Sequence, residues 1–312
     1  MRDLNGRRVL VTGGARGIGL AIAERFALEG AALVLTDLDG PGVEVAAARL
    51  RERGVDAVGY QLDVTDEAAI LALRDRLGDE VGPIDVLVNN AGTVFGGPFE
   101  QVPMGRHRLT YEVNTIGVVA MTHAFLPELI GRPEAHIVVI SSASALVGVP
   151  FGSTYASSKW GALGFGESLR LELKQRGLDH VGVTTVCPSF VSSGLFDGST
   201  PPRLTQWLTP EKLADQVLTG VRRDRSLVLT PWLVNLTPVL RGLLPPRVYD
   251  WAADLFGVTR SMASWHGHAA GQGGPAVERI VAEADIEVDV EVDDEGGEVD
   301  AEVEVDLIEV DR

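Results

Sequence analysis

Seven short runs rich in β-branched residues recur through the first 230 positions: RRVLVTG (7–13), AALVLTD (31–37), AVGYQLD (57–63), IDVLVNN (84–90), AHIVVIS (135–141), VGVTTVC (181–187) and SLVLT (226–230). Most are apolar at consecutive positions, the mark of strands covered on both faces, as in a parallel sheet. Between them stand helical patterns such as GLAIAERFALEG, EVAAARLRERG and DEAAILALRDRLG, the first two closed by a glycine. A strand joined to the next by a helix makes a crossover, and right-handed crossovers wrap helices over both faces of one sheet. The alternation predicts an α/β chain built on a doubly wound parallel sheet of about seven strands. No internal repeat is visible.

Residues 226–257 leave that rhythm: they are apolar and interrupted by Pro231, Pro238, Pro245 and Pro246. Either they form a helical pair packed on the body, or part of them lines an apolar pocket and meets a lipid surface, with Arg241 and Arg247 among the head groups. The expected organisation is one domain over residues 1–262, with a substrate-capping segment at about 190–262. A glycine-rich linker follows at 263–281, then an acidic tail at 282–312, read as disordered or a weakly held ribbon. The tail carries fifteen Asp and Glu against one Arg, a net −14 of the chain's −17, so residues 1–281 carry only −3. A nearly neutral body with no basic stripe argues against nucleic acid. The single cysteine, Cys187, excludes an internal disulfide and a cysteine-based zinc cluster, and its apolar setting suits a buried thiol. The six histidines show no metal-binding spacing, HGH at 266–268 being read as loop, so no metal is expected. The opening residues are read as lacking a signal peptide, and the longest uncharged apolar stretch reads as too short for a membrane span. A cytoplasmic setting, with possible peripheral membrane contact, fits these features.

The first strand ends in TGGARGIG, residues 12–19. Gly13, Gly17 and Gly19 permit a tight turn and a close approach of backbone to pyrophosphate, and the next helix then presents its first amides to phosphate. An acid, Asp37, ends the second strand, where a carboxylate accepts from ribose hydroxyls and repels a 2′-phosphate. Arg16 points the other way, as a phosphate partner, but a like charge at contact outweighs a flexible arginine. NAD is therefore expected rather than NADP. Asp63 and Val64 end the third strand near the adenine edge. Asn90 and Gly92 end the fourth, in NNAG, and Ser141 and Ser142 end the fifth. In STYASSKWGALGF (153–165), Tyr155 and Lys159 stand one helical turn apart on one face. The pair is either an ordinary amphipathic face or a phenol whose pKa, ordinarily about 10, is lowered by the ammonium.

TGGARGIG, LDVTD, NNAG, YEVNTIG, ISSAS and YASSK, in that order across about residues 6–195, resemble the short-chain dehydrogenase/reductase superfamily in its compact form. The resemblance implies that Tyr155 is the acid/base, that Lys159 lowers its pKa and grips the nicotinamide ribose, that Ser142 holds the substrate oxygen, and that Asn114 supports a water relay to Lys159. It extends the cofactor contacts to Ile18, Ala91, Pro188, Val191 and Ser193. Ser189 and Ser193 stand where the family usually has Gly and Thr. A homodimer or homotetramer is implied, paired through helices beginning near Asn114 and Ser153. Residues 186–262 look like the branch that includes epidermal retinol dehydrogenases and lipid-droplet 17β-hydroxysteroid dehydrogenases. That likeness implies an alcohol dehydrogenase for a lipophilic substrate such as a retinoid, steroid or fatty alcohol. The weighed alternatives are an NADP-linked carbonyl reductase and a cofactor-binding scaffold without turnover.

Overall fold

Each of the seven apolar runs forms a strand, in a computed structural model that describes residues 1–265 apart from Arg2 and Leu204. The acidic tail, most of the expected linker and the HGH triplet lie outside the described residues. The strands are β1 (Arg8–Thr12), β2 (Ala32–Asp37), β3 (Ala57–Gln61), β4 (Val86–Asn89), β5 (Ala135–Ile140), β6 (Val181–Pro188) and β7 (Leu227–Thr230). They pair in parallel in the order β3-β2-β1-β4-β5-β6-β7.

Side chains alternate across the pleat, and in these strands both sets are apolar. Val9, Val11, Leu33, Leu35, Val86 and Val88 face helices α1 (Gly17–Ala27), α2 (Gly40–Glu52) and, further along the chain, the Pro210–Arg222 helix. Leu10, Val34, Leu87, Ile137 and Val139 face the opposite layer. That layer holds α3 (Glu67–Glu80) and α4 (Met104–Tyr111), then α5 (Gly117–Ile130) and α6 (Ser153–Gln175). The Pro210–Arg222 helix is α7. Two helical layers exclude water from both faces, so each strand position is held by burial. The direction of winding reverses between β1 and β4, which opens a crevice at the carboxyl ends of these neighbours.

α4 and α5 are joined by a π turn at Glu112–Ile116 into one helix, Met104–Ile130, long and apolar enough by composition to cross a membrane. The expectation that no stretch reaches that length is thereby corrected. Its apolarity serves the core: Val118, Met121, Ala124, Phe125 and Leu129 are buried under the sheet.

The proline-interrupted segment forms α8 (Leu236–Leu243) and α9 (Pro246–Leu255), separated where Pro245 and Pro246 stop a helix. Neither helix has a buried residue. Trp232, Leu243 and Trp251 are 72%, 77% and 66% exposed. The segment is tied to the loop after β6 by the Thr200 amide donating to the Ser261 carbonyl (2.9 Å) and the Arg203 amide donating to Phe256 (2.7 Å). Arg241, expected among lipid head groups, is exposed and packs on the surface of the body. Its guanidinium lies over the Trp160 ring, 4.2 Å from the centroid, and donates to the Leu146 carbonyl (3.0 Å). An aromatic face and a carbonyl of the body hold it in place. Arg247 is exposed.

Candidate active site

The crevice begins at the turn between β1 and α1. Gly13 takes φ +64°, and a Cβ there would stand 2.9 Å from Asn90 Nδ2 and 3.1 Å from the Ala91 Cα. Only glycine lets the two loops meet so closely. Asn90 locks the approach by donating to the carbonyls of Thr12 (2.9 Å) and Gly13 (3.1 Å). Thr12 Oγ1 accepts from the amides of Asn90 and Ala91, both at 3.0 Å. Thr12 stands first in TGGARGIG, yet sequence reasoning gave it no role, because its partners lie at the end of another strand. A Cβ at Gly19 would strike the Gly13 carbonyl, so Gly19 packs the helix against the turn and does not itself line the crevice.

Helix α1 starts with no side-chain cap and no acid in its first turn. Its first amides are therefore free for an anion, which the dipole also favours. Asp37 Oδ2 accepts from the Ala15 amide (3.0 Å) and Oδ1 from Asp39 (3.1 Å). Burial pushes the Asp37 carboxyl above its ordinary range, against those two amides and the nearby Arg16 charge. Two hydroxyl donors placed on that carboxylate would offset its desolvation, as a ribose diol does. An uncapped helix start, a glycine cradle and a half-buried carboxylate on one cavity of about 250 Å³ fit a dinucleotide. Arg16, Gly17, Ile18, Asp63, Val64, Ala91, Gly92, Pro188, Val191 and Ser193 line the same cavity. Ser193 closes it across Gly17, where a Cβ would come 3.3 Å from the serine Cβ. Asp63 Oδ1 also accepts from the amide (2.9 Å) and hydroxyl (2.7 Å) of Thr65, which shapes the turn into α3.

At the inner end of the cavity stand Ser142, Tyr155 and Lys159, exposed by 8%, 5% and 4%. Ser141 Oγ donates to the Lys159 carbonyl (2.7 Å) and so fixes α6 to the end of β5. Lys159 Nζ donates to the Ile140 carbonyl (3.1 Å). Asn114, fully buried in the π turn, accepts from the Thr93 amide (2.9 Å) and donates to the Thr93 carbonyl (2.8 Å) and Ser158 Oγ (3.0 Å). Although it does not line the cavity, it comes close to the lysine. A Cβ on Gly92 would lie 3.1 Å from Asn114 Oδ1 and 3.2 Å from Lys159 Nζ. The π turn, which places this asparagine, had no signature in the sequence.

The expected lowering of the Tyr155 pKa is corrected for the protein by itself. Burial pushes the phenol up to about 12, against the hydrogen bond from the Ser142 hydroxyl. Burial likewise brings Lys159 down to about 8. Each shift disfavours the charged form, because desolvation outweighs the partners on hand. Cys187 is buried, and burial raises its thiol to about 11, consistent with an inert side chain.

A second cavity, of about 240 Å³, adjoins Tyr155 and Ser142 on the side of α8 and α9. Its walls are mostly apolar: Val147, Val149, Phe190, Leu233, Leu236, Leu240, Phe256 and Met262 among them. These residues come from three parts of the chain, 147–149, 190 and 233–262, of which the sequence marked only the last as apolar and able to line a pocket.

The family model for short chain dehydrogenase matches residues 7–203. Among curated proteins, epidermal retinol dehydrogenase 2 of Homo sapiens is 32% identical over 267 residues, covering 84% of this chain and 85% of that protein. Estradiol 17-beta-dehydrogenase 11 of Mus musculus is 32% identical over 246 residues, covering 79% and 82%. Among solved structures, a short chain dehydrogenase/reductase from Burkholderia phymatum in complex with NAD superposes with a TM-score of 0.72 at 27% identity. It covers 78% of this chain and 95% of that one.

Proposed function

Because the chain belongs to the short-chain dehydrogenase family, and is thus an NAD(P)-dependent oxidoreductase acting on CH–OH groups, we propose that it interconverts a lipophilic alcohol and its carbonyl with NAD. The bound nicotinamide supplies hydride exchange. The protein's part is to bind the reactants, exclude water and handle the proton. Tyr155 exchanges that proton with the substrate oxygen, Ser142 hydrogen-bonds the same oxygen, and Lys159 offers the cation that a phenolate needs. Asn114 positions this end of the site through Thr93 and Ser158. With the phenol pushed up to about 12, carbonyl reduction finds its proton in place at neutral pH, whereas oxidation needs a positive charge beside the oxygen. Preference for NAD is supported by the half-buried Asp37 carboxylate on the cofactor cavity. The nearby Arg16 favours NADP as the second reading.

One observation carries the substrate class: the apolar cavity opens onto Tyr155 and Ser142, so a carbinol there has its chain among Val149, Leu236 and Phe256. Each further methylene entering it contributes about 0.8 kcal/mol, a several-fold step. Across linear alcohols of increasing length, kcat/KM rises until the cavity is full, and Leu236→Asp flattens the rise. A flat profile, or best activity on a short polyol, refutes the lipophilic reading. The exposed side chains of Trp232, Leu243 and Trp251 support peripheral contact with a lipid surface, read by co-sedimentation with liposomes. Exposed Tyr111, Ile116, Val119 and Trp160 on α4–α6 support a homodimer or homotetramer, read by light scattering. Residues 190–262 would then act as the substrate cap of a single domain.

A further inference from the structure

We infer that Phe196 restricts this enzyme to primary alcohols by occupying the space that a second carbon substituent needs; the inference rests on the reading proposed above. The two cavities share four residues: Ser142, Tyr155, Ser189 and Phe196. The carbinol carbon must stand at this junction. Its oxygen turns to Ser142 and Tyr155, its transferable hydrogen to the cofactor cavity and its chain into the apolar cavity. The fourth substituent faces the remaining walls, Ser189 and Phe196, and only the latter is large.

The ring is not free to withdraw. It meets Tyr155 edge-on, with centroids 5.6 Å apart and planes at 77°, and Phe190 at 5.2 Å and 69°. Phe190 is in turn backed by Trp207 at 5.8 Å and 79°. The loop bearing Phe196 is held from outside as well, by Trp265 Nε1 donating to the Leu195 carbonyl (3.3 Å). Gly96 makes room for that indole: a Cβ there would come 2.8 Å from Trp265 Cε3. A hydrogen fits against a ring held on both sides, whereas a methyl must displace it, and packed aromatic clusters resist such overpacking. The similar proteins named above do not settle the matter. Retinol is a primary alcohol and the 17β carbinol of estradiol a secondary one.

The test compares kcat/KM for n-decanol and for its secondary isomer methyl octyl carbinol, in wild type, Phe196→Leu and Phe196→Ala. The wild type should favour n-decanol, and the ratio of secondary to primary should rise by at least about tenfold from Phe to Ala, with Leu between. A purely structural role would lower both rates together and leave the ratio alone. Should Phe196→Ala fail to fold, Phe196→Leu and Phe196→Trp move the ratio in opposite directions. A ratio that ignores residue 196, or a wild type favouring the secondary alcohol, overturns the inference while leaving the dehydrogenase reading intact. Turnover of neither alcohol with either cofactor overturns both.

Discussion

Lys159 is a buried ammonium with one acceptor among the described residues, the Ile140 carbonyl at 3.1 Å, and its replacement by Met should stabilise the cofactor-free protein. Its pKa falls from 10.5 to about 8 in the fold. Between those values the unfolded chain holds a proton that the folded one has lost, so stability rises with pH across this window. Below about 8 the full penalty is present, and at about 1.4 kcal/mol per pH unit it comes to about 3 kcal/mol. The hydrogen bond to Ile140 offsets about 1 kcal/mol. Lys159→Met keeps the length and apolar stem of the side chain, so a net gain of about 2 kcal/mol remains, or roughly 4–8 °C in Tm. Melting of both proteins should show that gain near neutral pH and lose all of it as the pH approaches 10.5, the ordinary lysine value, where only the lost hydrogen bond remains. A variant less stable than wild type at neutral pH, or a gain that does not shrink with pH, would refute the reasoning. The same variant should lose turnover, since Lys159 is proposed to supply the cation beside Tyr155.

Tyr155→Phe should abolish turnover and leave cofactor affinity within about twofold, because it removes the proton carrier and little volume. Retention of a sizeable part of the wild-type rate would dismiss the acid/base role. Asp37→Ala with Leu38→Arg should shift the kcat/KM ratio toward NADP by at least about tenfold, by removing a like charge and adding a phosphate partner beside Arg16. A wild type that already prefers NADP would overturn the cofactor assignment.

The strands and the cofactor turn were legible in the sequence because they depend on near neighbours. Consecutive apolar residues demand two covered faces, and the order of strand and helix permits few windings. Gly13, Gly17 and Asp37 stand at turn positions whose chemistry is local. Tyr155 and Lys159 share a face by the helical period alone. Four features needed the fold. The pKa values of Tyr155 and Lys159 are set by how much water the packed loops exclude, which no spacing encodes. The π turn around Asn114 has no signature in the residues that form it. Arg241 packs on the body because Trp160 and Leu146, some eighty to ninety-five positions earlier, offer it a ring and a carbonyl. Phe196 meets Tyr155 across forty-one residues of chain, through a loop with few local preferences. Local sterics and periodicity act through the covalent chain and can be read along it. Desolvation and side-chain packing act through space, and they exist only once distant segments have been brought together.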